Sequence, residues 1–169
     1  MLRFDLTEIL RNPGMRQVYD INEPPYTDED VDYVSPVTGR VAVTNTGTML
    51  LVRGPIRTTI GLECSRCLTP LRTPIEADLE EDFDLRVVED SRHHDKDVQI
   101  MEEDTTGVFD GKVLQLGVLI RQATLLAAPL QPLCREDCPG IPVKSAETPE
   151  GVFQNSPFGV LSKLLDGAK

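Results

Sequence analysis

Four cysteines arranged as two close pairs constrain this chain more than any other feature. Cys64 and Cys67 sit in C-S-R-C, and Cys134 and Cys138 in C-R-E-D-C. Each pair can present two thiolates from one tight turn, and two such turns complete a tetrahedral metal shell if the fold brings them together. The spacing therefore predicts a long-range cross-link between Cys64, Cys67, Cys134 and Cys138 around one structural zinc ion. Such a site is closed, with no open coordination position for catalysis. Arg66 and Arg135, one in each loop, would offset part of the negative charge. Two other readings stay open: four reduced thiols in turns without metal, and a redox-active Cys64–Cys67 motif. The redox motif calls for a helix N-terminus in a βαβ setting, whereas C-S-R-C follows β-patterned sequence and precedes Pro70.

The chain has 169 residues and 40% hydrophobic content, enough for one domain. The N-terminal M-L-R-F-D-L-T-E lacks the apolar stretch of a secretory leader, and no apolar run is long enough to cross a membrane. We expect a cytoplasmic location, where reducing conditions disfavour disulfides.

Charge is unevenly spread. The net charge is −11, which argues against a general nucleic-acid sleeve. Residues 37–75 carry 5 basic and 1 acidic side chains, whereas residues 76–110 carry 3 basic and 14 acidic ones. Arg40, Arg53, Arg57, Arg66 and Arg72 form a candidate RNA-contacting patch, because arginine forks onto phosphate. The acidic run that follows could equally pair with them. Glu76, Asp78, Glu80, Glu81, Asp82 and Asp84 form a candidate protein-binding face.

The pattern predicts an α+β domain. A short strand at Leu2–Leu6 leads to a helical turn capped by Thr7, then to a polar loop over 12–36. Residues 37–88 alternate as an antiparallel, barrel-like sheet. Asn45-Thr46-Gly47-Thr48 is its first hairpin turn, and Ile75, Ala77 and Leu79 alternate with acidic neighbours in a long strand. A long apolar helix from about 111 to 127, capped by Asp110, packs on the sheet. The expected organisation is an N-terminal strand and acidic loop (1–36), a core domain (37–138), and a proline-rich linker with a short C-terminal helix (139–169), whose apolar set is Val160, Leu161, Leu164 and Leu165. His93-His94 reads as a solvated pair in a polar loop. No phosphate-binding glycine loop and no nucleophile with a base is apparent, so we expect no enzymatic activity and no small-molecule substrate.

From Gly39 onward the layout resembles the YceD family, named for accumulation of large-subunit ribosomal RNA. The resemblance lies in V-T-G-R-V, G-T-M-L-L-V-R-G-P-I, L-E-C-S-R-C-L-T-P-L, the acidic E-E-D-F, the stretch D-G-K-V-L-Q-L-G-V-L-I-R-Q-A-T-L-L-A-A-P-L-Q-P-L-C and the terminal N-S-P-F-G-V-L-S-K-L. Many members continue after the second cysteine pair with G-L-C-x-x-C-G, which is C-P-G-I-P-V here. The resemblance implies a non-enzymatic factor in synthesis, processing or stability of 23S ribosomal RNA, with that RNA or a basic ribosomal protein as partner. The alternatives are a zinc-stabilised adaptor unrelated to ribosomes and a thiol oxidoreductase.

Overall fold

The computed structural model describes residues 2–28, 30–89, 96–101 and 107–141. The His93-His94 pair and the expected C-terminal helix lie outside these residues.

The elements run β1 (Arg3–Asp5), α1 (Thr7–Arg11), β2 (Arg16–Glu23), β3 (Tyr26–Thr27), β4 (Asp32–Tyr33), β5 (Val37–Asn45), β6 (Met49–Glu63), β7 (Pro70–Glu89), β8 (Lys96–Met101), β9 (Phe109–Asp110), β10 (Val113–Gln115) and α2 (Leu116–Ala127). The main sheet is antiparallel. β5 pairs with β2 and β6, β7 pairs with β6 and β8, and the short β3–β4 ribbon joins β6 near its C-terminal end. A small second sheet has the order β1-β10-β9.

The long β6–β7 hairpin organises the molecule. Its register runs unbroken from Met49 opposite Asp84 to Glu63 opposite Pro70. Even-numbered β6 residues such as Leu50, Val52, Ile56 and Ile60 are buried, as are Ile75 and Leu79 on β7. This is the period-two alternation of a sheet with one covered face. The cover is Leu6, Ile9 and Leu10 around α1, Leu114 of β10, and Leu116, Leu119 and Ile120 of α2. Where β5 and β6 approach closely, a Cβ on Gly39 would overlap the Pro55 carbonyl oxygen and one on Gly54 the Arg40 carbonyl oxygen.

Several expectations are corrected. The sheet is open rather than barrel-like: among the described residues β2 pairs only with β5 and β8 only with β7, so the two edges do not meet. The long apolar helix is also absent. The segment 111–127 instead forms β10 and a helix of 12 residues. Gly111-Lys112 is the hairpin turn between β9 and β10, with Gly111 at φ +63° and Asp110, the last residue of β9, paired to Val113, so Asp110 caps no helix. Leu125 and Leu126 of α2 are exposed, so its apolar circumference is only partly used. The expected loop over 12–36 contains β2, in which Tyr19 and Ile21 face inward between exposed Val18, Asp20 and Asn22. Thr7 does not cap α1. Its N–H and hydroxyl both donate to Asp5 Oδ1, at 2.8 and 2.6 Å, and these bonds hold the Asp5 carboxyl below its ordinary range.

Candidate metal centre

The first cysteine pair sits at the tip of the β6–β7 hairpin. Cys64 N–H donates to Thr69 O and Leu68 N–H to Cys64 O, both at 2.9 Å, which closes the turn. The second pair follows α2. Ser65 N–H donates to Pro132 O at 2.8 Å, and Cys134 N–H donates to Cys64 Sγ at 3.4 Å. Arg66 locks the two turns together: its guanidinium donates to Cys138 O at 3.0 Å and to Glu136 O at 3.3 Å. The distant turns therefore meet, as their spacing predicts.

The four Sγ atoms all lie within 4.8 Å of one another. Cys64 and Cys138 are 3.8 Å apart, and Cys67 and Cys134 are 3.7 Å apart. Four sulfurs about 2.3 Å from a central zinc stand about 3.8 Å from each other, so two opposite edges of the cluster already match a zinc tetrahedron. Disulfide sulfurs would be about 2 Å apart, and all four cysteines are free thiols. Cys64 and Cys138 are buried while Cys67 is half-buried and Cys134 exposed, so the centre has an inner and an outer edge.

The surroundings favour negative sulfur. Backbone N–H groups of Cys67, Cys134 and Arg66 point at Cys64 and lower its thiol to about 6. Hydrogen bonding with Thr69 lowers Cys67. Cys134 is pushed up to about 12, chiefly by sharing hydrogen bonds with Cys138 and Cys67. The cluster thus readily holds some negative charge and resists the last deprotonation until a cation arrives. The four cysteines are positioned to coordinate one metal ion, and their chemistry suits structural zinc. The redox setting is not met, since C-S-R-C lies in a β turn rather than at a helix N-terminus.

Arg40, Arg53, Arg57 and Arg72 lie on the outer face of the main sheet, while Arg66 is engaged in the metal turns. Arg40 pairs with Asp20 at 2.7 Å and Arg57 with Glu76 at 3.2 Å, and Arg53 pairs with Asp82. The acidic candidates divide by strand parity. Glu76, Asp78, Glu80, Asp82 and Asp84 share the outer face of β7, and Glu81, opposite buried Val52, points to the other side.

A cavity of about 490 Å³, which no sequence motif announces, lies between β1, the end of β2 and the start of α2, lined by Leu2, Tyr26, Val118 and Arg121. No cysteine lines it. Nor does the sequence betray that Leu68 takes φ +61°. Among the described residues, no helix is long and apolar enough to cross a membrane.

The fold and the cysteine cluster define an open-sheet α+β domain in which four cysteines are positioned to coordinate a metal ion. The chain belongs to the YceD family, described as large ribosomal RNA subunit accumulation protein YceD, whose model matches residues 52–165. Among curated proteins it is similar to an uncharacterised protein of Mycobacterium tuberculosis, 34% identical over 92 residues that cover 54% of this chain and 41% of the relative. A second, from Mycobacterium leprae, is 27% identical over 144 residues, covering 82% of this chain and 63% of the relative. The chain thus spans less than two thirds of the length of either relative. No solved structure matches it.

Proposed function

We propose that this protein is a non-enzymatic, cytoplasmic binding factor in the synthesis, processing or stability of 23S ribosomal RNA, and that it works through a basic ribosomal protein rather than by gripping bare RNA. Family membership over residues 52–165 carries this conclusion. Zinc held by Cys64, Cys67, Cys134 and Cys138 would serve the fold: when bound it supplies four covalent-like tethers between the hairpin tip and the segment after α2. The core domain of 37–138 is then the working unit.

Electrostatics favours a protein partner. Three of the five candidate arginines are already neutralised by carboxylates, and the net charge of −11 repels a phosphate backbone. Beyond Glu76 and Asp82, which those arginines engage, the outer face of β7 offers Asp78, Glu80 and Asp84 to lysine and arginine.

Depletion of the protein in its host tests the assignment. Mature large-subunit RNA and free large subunits should fall relative to the small subunit. Unchanged rRNA and subunit profiles would refute the role. A set of captured partners dominated by non-ribosomal proteins would favour an adaptor outside the ribosome pathway.

A further inference from the structure

Six large hydrophobic side chains are exposed among the described residues: Val18, Leu68, Leu125, Leu126, Leu130 and Ile141. All but Val18 belong to the segments that build or flank the metal centre. Leu68 follows Cys67, Ile141 follows the Cys138 turn, and Leu125, Leu126 and Leu130 lead into Cys134. Leu126 is 88% and Leu130 100% exposed. Scattered single hydrophobes need no explanation, but a concentration at one end of a molecule marks an interaction surface.

Leu68 sharpens the point. It is the only non-glycine with positive φ among the described residues, at 61°, and its side chain is 56% exposed. Left-handed backbone is costly for a residue carrying Cβ and is normally given to glycine or asparagine. The partner turn obeys that rule, with Gly140 at φ +81° just after Cys138. Leu68 therefore keeps a strained backbone while its side chain remains largely in water. The bend serves the cysteine turn, where Leu68 N–H donates to Cys64 O at 2.9 Å, and it leaves the apolar side chain facing solvent, open to a partner.

We infer that the metal-centre end, formed by Leu68, Leu126, Leu130 and Ile141, is the docking surface for an apolar-anchored segment of a basic protein, whose lysines and arginines lie along the carboxylates of β7. This deepens the proposed function and rests on its choice of a basic ribosomal partner. The choice of occupant follows from chemistry. Residues 62–72 and 124–141 contain no aromatic side chain, so this end offers no platform for stacking bases. Their own charges cancel, with three basic and three acidic side chains. The electrostatic pull comes from the adjoining hairpin, where Asp78, Glu80 and Asp84 share the outer face of β7 with Glu76 and Asp82, the two that already pair with Arg57 and Arg53. A second copy of the chain would bring its own −11 against this one.

The test uses the full chain, zinc-loaded, reduced and immobilised, offered two probes separately: proteins extracted from large ribosomal subunits, and deproteinised 23S rRNA. Leu68→Asn removes the apolar contact while relieving the backbone, Leu130→Ser removes a fully exposed leucine, and Val18→Ser serves as the control. The wild type should retain one or more basic large-subunit proteins and little rRNA. Leu68→Asn and Leu130→Ser should each weaken retention at least tenfold, and Val18→Ser should not change it. The melting temperature should be unchanged in Leu130→Ser and unchanged or raised in Leu68→Asn. The proposal is overturned if no large-subunit protein is retained, if both leucine variants bind like the wild type, or if both lower the melting temperature. Preferential retention of rRNA, or a concentration-dependent doubling of mass, overturns it too. If the surface fails while depletion still lowers 23S rRNA, the ribosomal role stands and only this docking site is lost.

Discussion

The Sγ atoms of Cys67 and Cys134 stand 3.7 Å apart although 67 positions separate the two residues in the chain. That approach fastens the hairpin tip to the segment following α2, and stability should follow the metal. Protein purified under reducing conditions should carry one zinc per chain by elemental analysis. A tightly binding chelator should lower the melting temperature by about 10 °C, the shift expected when roughly 4 kcal/mol of ligand linkage is lost from a domain of this size. Cys64→Ser should lose both the zinc and the chelator response.

Acidity should act on the same centre. The zinc-loaded protein should release metal as pH falls, because protons compete for the sulfurs. In the metal-free protein the Cys64 thiol lies at about 6, below an unfolded value of about 8.5. A depressed folded value stabilises above the unfolded one, and that contribution is lost as pH falls from about 8.5 towards 6. Cys134 works the other way, being pushed up to about 12, so its contribution turns unfavourable above the unfolded value. Urea midpoints of chelated, reduced protein should therefore rise between pH 6 and 8.5. Cys64→Ser should flatten that rise.

Asn45 is a buried polar residue with every role filled. Its side-chain amide donates to Ile9 O at 2.9 Å and Leu10 O at 3.2 Å, and its Oδ1 accepts from Gly47 N–H at 2.7 Å. It thereby joins the end of α1 to the β5–β6 turn. Asn45→Ala should cost about 2–3 kcal/mol in urea unfolding, because it strands buried carbonyls and a turn N–H.

The outer-face arginines should matter little to stability. Arg53→Ala removes a partly exposed pair with Asp82 and Arg57→Ala an exposed pair with Glu76. Each should change stability by less than about 1 kcal/mol. Binding of 23S rRNA measured from 50 to 200 mM salt should be weak and little altered by either substitution. A steep salt dependence that flattens in Arg53→Ala would return these arginines to an RNA-contacting role.

What was legible in the sequence follows from how local each signal is. The β5–β6 turn at Gly47 and the alternation of Ile75, Ala77 and Leu79 were readable because strand periodicity and turn chemistry act over a few residues. The meeting of the cysteine turns was readable because thiolates at short spacing serve few other ends. β2 was hidden: its inward Tyr19 and Ile21 are too few to stand out between Arg16 and Glu23, and its stability comes from pairing with β5, a partner distant in sequence. The turn at Gly111 is not legible, because the apolar run beyond it fits a helical stripe as well as a strand followed by a shorter helix. Strand parity sets Glu81 apart from the other five acidic candidates, a division that composition alone does not reveal.

The long antiparallel hairpin carries a consequence for synthesis. Cys64 and Cys67 leave the ribosome well before Cys134 is made, and at 5–20 residues per second the wait is roughly 3–13 s. Pairing of β6 with β7 takes far less time than that. The first two thiolates are thus presented on a finished turn, as an open half-shell, to whatever metal or thiol is nearby, until translation delivers the other half.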